Sequence, residues 1–441
     1  MSDIFWKNDG WESEDRHLSR LRAMPFRRRW PFIPEAKGLY VIRGPRQIGK
    51  TSWLKSILAA YAKSKDCFFL SCENVENNRE LSLILKSVRT AELIILDEVS
   101  FVEHWDRAVK HFIDGGYQGI LCVSGSHAYD LEKGADLMPG RFDGGGEFHL
   151  LPMTFDEFRE ARVQAGWDTG DHVTELLQFF KTGGFPDAVA SAGALGRPSS
   201  KIRETYLRWL KGDAKKLGKD PEKVVEILIQ LFKTFQNPIS FQTLAKKTSI
   251  GSPNTVIDYV RLLEASFAIR SLYAIDVGTG ALRHRSDKKF YFTDPMLYWI
   301  SCHLAGERTP EQANDALAET VAHEHLARLY DRIGFFRSKK GEIDFMQANK
   351  WCVEVKWSPV AENISKAFYD AVTPEKIVWT QRNFLQEYPQ CVSGVSGDTR
   401  EPGAHAPTNF EFLFCLLKKY RESVFNSAPR SNFVQNSAKS R

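Results

Sequence analysis

Nine consecutive residues, Gly44, Pro45, Arg46, Gln47, Ile48, Gly49, Lys50, Thr51 and Ser52, place two glycines, an ammonium and a hydroxyl at the spacing that a polyphosphate demands. Glycines let successive backbone N–H groups turn toward phosphate oxygens. A lysine directly after the second glycine can reach the β- and γ-phosphates, and the next hydroxyl can sit on Mg²⁺. The flanks suit the chemistry: the apolar run "LYVIR" precedes the loop and the helical run "SWLKSILAAYAK" follows it. A helix beginning there adds positive potential at its N-terminus. These nine residues are therefore the candidate ATP contacts, with Lys50 on the phosphates and Thr51 on the metal. About fifty residues on, "ELIILDEVS" is an apolar strand ending in Asp97 and Glu98. Asp97 is a candidate Mg²⁺ ligand, and Glu98 a candidate general base for the attacking water.

A second set of charged residues lies near the other end of the chain. "WCVEVKW" spans residues 351–357, and its β-branched and aromatic content reads as a buried strand. Strand side chains alternate faces, so Glu354 and Lys356 share one face while Val353, Val355 and Trp357 share the other. "EIDFMQ", a strand upstream across the turn "ANK", can bring Asp344 opposite Glu354. Asp344 and Glu354 could then coordinate Mg²⁺, with Lys356 orienting or helping to deprotonate a water that attacks a phosphodiester. Convergence of both acids on one ion would support cleavage, whereas a tight pair between Lys356 and Glu354 would support binding alone. His323 and His325 flank Glu324 but point about 160° apart on a helix, so a zinc protease is set aside.

With the phosphate loop and the acidic strand end in place, the chain resembles AAA-type ATPases. "ILCVSGSHAYDL" looks like the sensor strand of that family, where Ser124 or Ser126 would contact the γ-phosphate or the water. "MPGRFDGGGEFHLLPMTFDEF" is similar to the segment that follows in one group of these ATPases, making Arg141 a candidate γ-phosphate contact in cis or from a neighbouring subunit. "TGGFPDAV" matches a turn of the same group at the lid after the core. The D…E-x-K pattern resembles the PD-(D/E)xK nuclease superfamily, whose first helix commonly supplies a further acid. That resemblance implies Glu324 as a third metal ligand, with Glu319 the alternative, although Ile343 stands where the family often has proline.

The elements that must position these groups divide the chain. Residues 1–37 form an N-terminal segment containing the basic and aromatic cluster "FRRRWPFIP", which either packs on the first domain or contacts nucleic acid or a partner. Residues 38–153 alternate short apolar strands with helical stretches, which means βαβ units and a parallel sheet. Residues 154–219 read as a helical lid. Residues 220–304 read as a helix-turn-helix with two strands as a wing, the second helix starting at Ser252-Pro253. In a DNA reader Asn254, Thr255, Asp258 and Arg261 would face bases, with Lys246, Lys247, Arg283, Arg285, Lys288 and Lys289 near phosphates. Residues 305–420 read as the nuclease-like α/β domain, and residues 421–441 as a disordered tail.

A chain of 441 residues with 43% hydrophobic and 26% charged residues has the composition of a soluble multidomain protein and not of a disordered one. Its net charge of +5 permits nucleic-acid binding without requiring it. Seven dispersed cysteines with no C-x-x-C pair argue against a disulfide framework or a zinc site. The polar N-terminus and the lack of any apolar run near ~18 residues predict a cytoplasmic protein with no membrane span.

The fold class expected is therefore α/β: a P-loop AAA-type core with a parallel sheet, a helical lid, a winged helix-turn-helix, and a C-terminal restriction-endonuclease-like domain. ATP and Mg²⁺ are the expected cofactors. The expected partners are ATP, DNA, and a second copy or another protein. The function expected is ATP hydrolysis coupled to DNA binding and metal-dependent cleavage. The alternative is a nucleotide-switched regulatory protein whose nuclease-like domain binds without cutting.

Overall fold

The computed structural model describes residues 5–125, 140–196, 198–307 and 313–389. Ser126, the Gly/Pro-rich stretch at 393–409 and the tail at 421–441 lie outside the described residues.

The first five apolar runs form one parallel sheet. β1 (Gly38–Arg43), β2 (Cys67–Ser71), β3 (Leu93–Asp97), β4 (Ile120–Gly125) and β5 (Gly146–His149) stand in the order β2-β3-β4-β1-β5. Parallel neighbours need crossovers, and helices Lys50–Tyr61, Asn78–Ser87 and Trp105–Asp114 supply them. β3, "LIILD", is buried along its whole length, as a strand covered on both faces must be. On one face Leu39, Val41, Ile94, Leu96 and Val123 pack against Leu81, Leu85, Val109 and Phe112 of two crossover helices.

The N-terminal segment packs on this sheet. Trp6 donates its indole N–H to the Cys67 carbonyl at 3.0 Å. Trp30 stacks on Trp53 of the phosphate-loop helix with centroids 6.1 Å apart. The arginines of "FRRRWPFIP" are bound within the chain: Arg27 holds backbone carbonyls, Arg28 is buried against Leu151 and Glu157, and Arg29 pairs with Glu160 at 2.5 Å. That cluster is intramolecular glue.

Helices Phe155–Gln164, His172–Thr182, Pro186–Leu195 and Ser200–Lys216 follow. Thr154 opens the first with a reciprocal cap, its side chain accepting from Glu157 N–H while Glu157 returns to the Thr154 N–H. Helix Pro221–Lys233 then packs on Phe241–Lys247 and Pro253–Ala265, which are joined by a turn through Gly251.

The two strands after these helices do not make a separate wing. β6 (Ile269–Ala274) pairs antiparallel with β7 (Lys288–Phe292), and β6 also pairs parallel with β8 (Gly334–Ser338). They thereby become the edge of a six-stranded sheet ordered β11-β10-β9-β8-β6-β7, with β9 (Gly341–Gln347), β10 (Trp351–Val355) and β11 (Glu375–Trp379). A boundary near residue 304 cuts through this sheet. All the described residues pack as one unit. Among them no helix is long and apolar enough to cross a membrane.

Candidate functional site

β1 ends at Arg43 and the chain enters the phosphate loop. Gly49 adopts φ +100°, a left-handed conformation that glycine takes at no steric cost, and caps helix Lys50–Tyr61. Lys50 is buried and folds back on its own loop, donating to the carbonyls of Gly44 at 2.8 Å and Pro45 at 2.9 Å. Thr51 Oγ1 donates to Asp97 Oδ2 at 2.7 Å, so the loop hydroxyl and the acid at the end of β3 occupy one point. Ser124 at the end of β4 is fully buried and donates to Asp97 Oδ1 at 2.5 Å. Its oxygen also accepts from the Glu98 N–H at 3.4 Å. Ser124 thus orients the acid and the turn after it.

Burial sets the proton affinities here. It lowers the Lys50 ammonium pKa against the pull of Glu98 and Asp97. It raises the Asp97 carboxyl, opposed by the hydrogen bonds from Ser124 and Thr51. A site of this kind favours any ligand that supplies the missing countercharge. Glu98 is half-buried in a left-handed turn at φ +54°. Arg46 leaves the loop in another direction, with its Nη2 3.0 Å from Asp213 Oδ1 on helix Ser200–Lys216.

The C-terminal acids converge through an irregular strand pair. Between Gly334↔Met346 and Phe336↔Ile343, β8 has one residue and β9 has two, a bulge containing Asp344. A bulge re-aims a side chain out of the regular alternation. Asp344 Oδ2 accepts from the Val355 N–H at 2.9 Å, beside Glu354. Glu354 Oε1 pairs with Lys356 Nζ at 3.0 Å, and Glu354 is only 2% exposed. Its Oε2 is buried with no hydrogen-bond partner. Lys289 of β7, 1% exposed, sits among the acids: 2.5 Å from Glu342, 3.9 Å from Glu319 and 3.9 Å from Asp344. Tyr291 OH donates to Glu319 at 2.9 Å.

Four carboxylates face two ammoniums and the exposed guanidinium of Arg337, 3.4 Å from Glu342, which leaves this cluster one positive charge short. Burial lifts Glu319 to about 8 and, with Asp344 nearby, Glu354 to about 7. Asp344 is raised for the same first reason. Among the described residues, no group of three or more His, Cys, Asp or Glu is arranged to hold a metal ion.

Glu324, expected as the third acid, belongs to another network. It accepts from Arg270 at 2.7 Å and Arg328 at 3.0 Å, and although burial works against it the two guanidiniums hold its carboxyl at about 2. Five residues along a helix is a rotation of about 140°, so Glu319 and Glu324 face different neighbours. Lys288 and Lys289, expected near nucleic-acid phosphates, are both buried, Lys288 lying 4.0 Å from the Phe241 ring centroid. Lys246, Lys247, Asn254, Arg261, Arg283 and Arg285 are exposed. Asp258 pairs with Lys219 at 3.6 Å.

Against known proteins, residues 36–159 match the family model described as AAA domain. Residues 36–159 are an AAA domain. Residues 173–308 match a domain of unknown function (DUF8612). Over 160 residues the chain is 28% identical to the uncharacterized protein MJ1544 of Methanocaldococcus jannaschii, covering 33% of this chain and 35% of that protein. The match therefore spans about a third of the relative's length. Among solved structures, the Walker-type ATPase PABY2304 of Pyrococcus abyssi is 14% identical with a TM-score of 0.42, covering 66% of this chain and 95% of that one. The ORC2 protein of Aeropyrum pernix, solved as ADPNP–ADP complexes, is 13% identical with a TM-score of 0.35, covering 70% and 92%.

Within the AAA domain, Arg141 lies away from the phosphate loop. It pairs with Asp114 through two bonds of 2.7 and 3.1 Å and lines a small pocket with Lys37, Gly38 and Gly119. Those residues mark the start of β1, whereas the loop follows its end, six residues or about 20 Å away. Arg141 therefore does not reach the nucleotide site of its own chain. Asp213, one of two acids in a basic helix, Glu342 and Tyr291 escaped the sequence reading of the two sites, and Lys289 was read as a contact to nucleic-acid phosphates instead of to these acids. Only the alternation of "KKFYF", which puts 289 and 291 on one face, hinted that they act together.

Proposed function

We propose that the chain is a Mg²⁺-dependent ATP hydrolase whose nucleotide state controls a C-terminal site for a divalent cation and a DNA phosphodiester. The carrying observation is the 2.7 Å hydrogen bond between Thr51 and Asp97, which sets two hard oxygen ligands side by side at the mouth of the AAA domain's phosphate loop. Thr51 and Asp97 would hold Mg²⁺, which would supply countercharge to the phosphates. Lys50 exchanges its loop carbonyls for phosphate oxygens. Glu98, beside Ser124, accepts a proton from the attacking water. Phosphate release that requires Mg²⁺ and is lost in Lys50→Ala supports this reading; release that persists in that variant contradicts it.

The C-terminal part rests on Glu354 Oε2, a buried oxygen without a partner, which is the kind of atom a cation satisfies. Asp344 and Glu354 would hold the ion, which would act as a Lewis acid on a phosphoryl oxygen. Lys356 orients the water, and Lys289 holds Glu319 and Glu342 in place. The exposed bases Lys246, Lys247, Arg261, Arg283 and Arg285 suit a DNA backbone. Mn²⁺ titration by calorimetry, with nicking assays on wild type and Asp344→Ala, tests it: heat and nicking that both disappear in the variant support a nuclease.

A second reading is favoured by the 3.0 Å pair between Lys356 and Glu354, because an acid already neutralised by its neighbour has less need of an ion. In that version the domain binds DNA or a protein without cutting. Uncut DNA under all metal conditions, with binding retained, decides for it. Cytoplasmic residence completes the proposal.

A further inference from the structure

Asp213 is 0% exposed and lies in helix Ser200–Lys216, outside the residues that match the AAA domain. A carboxylate at such a depth costs several kcal/mol unless it is paired and hydrogen-bonded. Two of its partners are neutral: Trp209 donates its indole N–H to Oδ2 at 2.7 Å, and Ser266 donates its hydroxyl to the same oxygen at 3.2 Å. A charged partner is Arg46, the third residue of the phosphate loop, whose Nη2 lies 3.0 Å from Oδ1. One turn further along the same helix, Lys216 Nζ stands 3.2 Å from the ring centroid of Phe101, three residues after Glu98. The helix thus grips both halves of the nucleotide site, the phosphate loop through Asp213 and the acidic turn through Lys216. Ser266 ends helix Pro253–Ala265, and β6 of the C-terminal sheet begins three residues later.

We infer that Asp213 is a positioning residue for the nucleotide, acting through Arg46. The inference rests on the ATPase reading. Asp213 holds the Arg46 guanidinium by an ion contact outside hydrogen-bond geometry, and the buried Nε and Nη2 of Arg46 have no hydrogen-bond partner, which leaves these donors for a phosphate while the carboxylate keeps the side chain at the loop. A mobile arginine at that position would lose side-chain entropy on binding, and the buried carboxylate has already removed it. The same contact ties the position of the helix to the nucleotide, since whatever draws Arg46 draws Asp213.

The test uses the full chain, a fluorescent ATP analogue, and steady-state hydrolysis of ATP. Asp213→Asn keeps acceptors for Trp209 and Ser266 and removes the charge. It should weaken nucleotide binding and raise KM about tenfold, the size of an ordinary coupling between two sites, while kcat changes less than threefold. Arg46→Gln should do the same, the double variant should be no worse than either single one, and Asp213→Glu should recover part of the loss. Amide exchange in helix Ser200–Lys216 should slow when nucleotide binds to wild type but not to Arg46→Gln, which decides the matter even where Asp213→Asn does not fold. Binding within twofold of wild type in Asp213→Asn, tighter binding, multiplying effects in the double variant, or protection that survives in Arg46→Gln would each overturn the inference. Wild type that fails to bind the analogue instead overturns the ATPase reading and takes this inference with it.

Discussion

Lys289 Nζ lies 2.5 Å from Glu342 Oε1, and the lysine is 1% exposed. The pair joins β7, which follows the helix-turn-helix, to β9 across the two intervening strands β6 and β8. Its ammonium also faces Glu319 and Asp344, so one buried lysine holds together acids drawn from a helix and a bulged strand.

Lys289→Met should therefore destabilise the chain by about 3 to 5 kcal/mol, because it leaves buried acids without their countercharge. Urea unfolding at pH 7 measures this. A loss below 1 kcal/mol would show that the acids are neutralised by other means.

The same cluster gives stability a pH dependence. Glu319 at about 8 and Glu354 at about 7 bind protons more tightly in the folded chain than at their ordinary 4.5. Their contribution is complete below about 4.5 and is lost as the pH rises through about 7 to 8. Urea midpoints taken between pH 5.5 and 9 should fall toward the alkaline end, and Glu319→Gln should flatten that fall. An unchanged slope in the variant would refute the assignment.

His325 acts in the opposite direction. Its Nε2 accepts from the Phe155 N–H at 3.1 Å, its Nδ1 donates to the Val321 carbonyl at 2.8 Å, and burial lowers its pKa to about 4 from 6.5. A neutral buried histidine contributes stability that is complete above 6.5 and lost as the pH falls through about 4. His325→Ala strands the Phe155 N–H and should cost about 1 to 3 kcal/mol at pH 7, with a shallower acid limb in the pH series.

At the nucleotide site, Lys50→Ala should reduce phosphate release about 100-fold or more, since it removes the cation nearest the transferred group. Thr51→Ala should raise the Mg²⁺ concentration needed for half-maximal rate. A Mg²⁺ curve that superimposes on wild type would remove Thr51 from the metal.

Gly183 stands at φ +75°, and a Cβ there would collide with the Asp294 carboxylate, which accepts from the N–H groups of Gly184 at 2.7 Å and Met296 at 2.8 Å. Gly183→Ala should cost about 3 kcal/mol or more through strain and overpacking together. Thermal melting of the variant checks it, and a change under 1 kcal/mol would mean the turn can shift.

The nucleotide site was legible in the sequence because its parts are local. A strand, a glycine loop and a helix N-terminus are adjacent along the chain, and Asp97 closes an apolar run that can only be a buried strand. The C-terminal acids were half legible. Alternation pointed to Asp344, Glu354 and Lys356 as neighbours, but the bulge in β9 is what aims Asp344, and Lys356 stands just past the end of β10. The choice between Glu319 and Glu324 depends on the rotation of helix Ala313–Leu329 against its neighbours, and Arg270 and Arg328 claim Glu324 from outside that pattern.

Sequence alone determined the phosphate loop, its acidic partner and the parallel sheet, and put Glu354 and Lys356 on one face, all of which follow from spacing and short-range periodicity. Tertiary structure decided the rest. It merged the expected wing strands with the last sheet through β6 and β8, put Lys289 and Tyr291 among the acids, set Arg141 by the start of β1, and set Asp213 on Arg46. Those outcomes depend on which faces find a partner to bury against, a property of the packed chain that no local pattern carries.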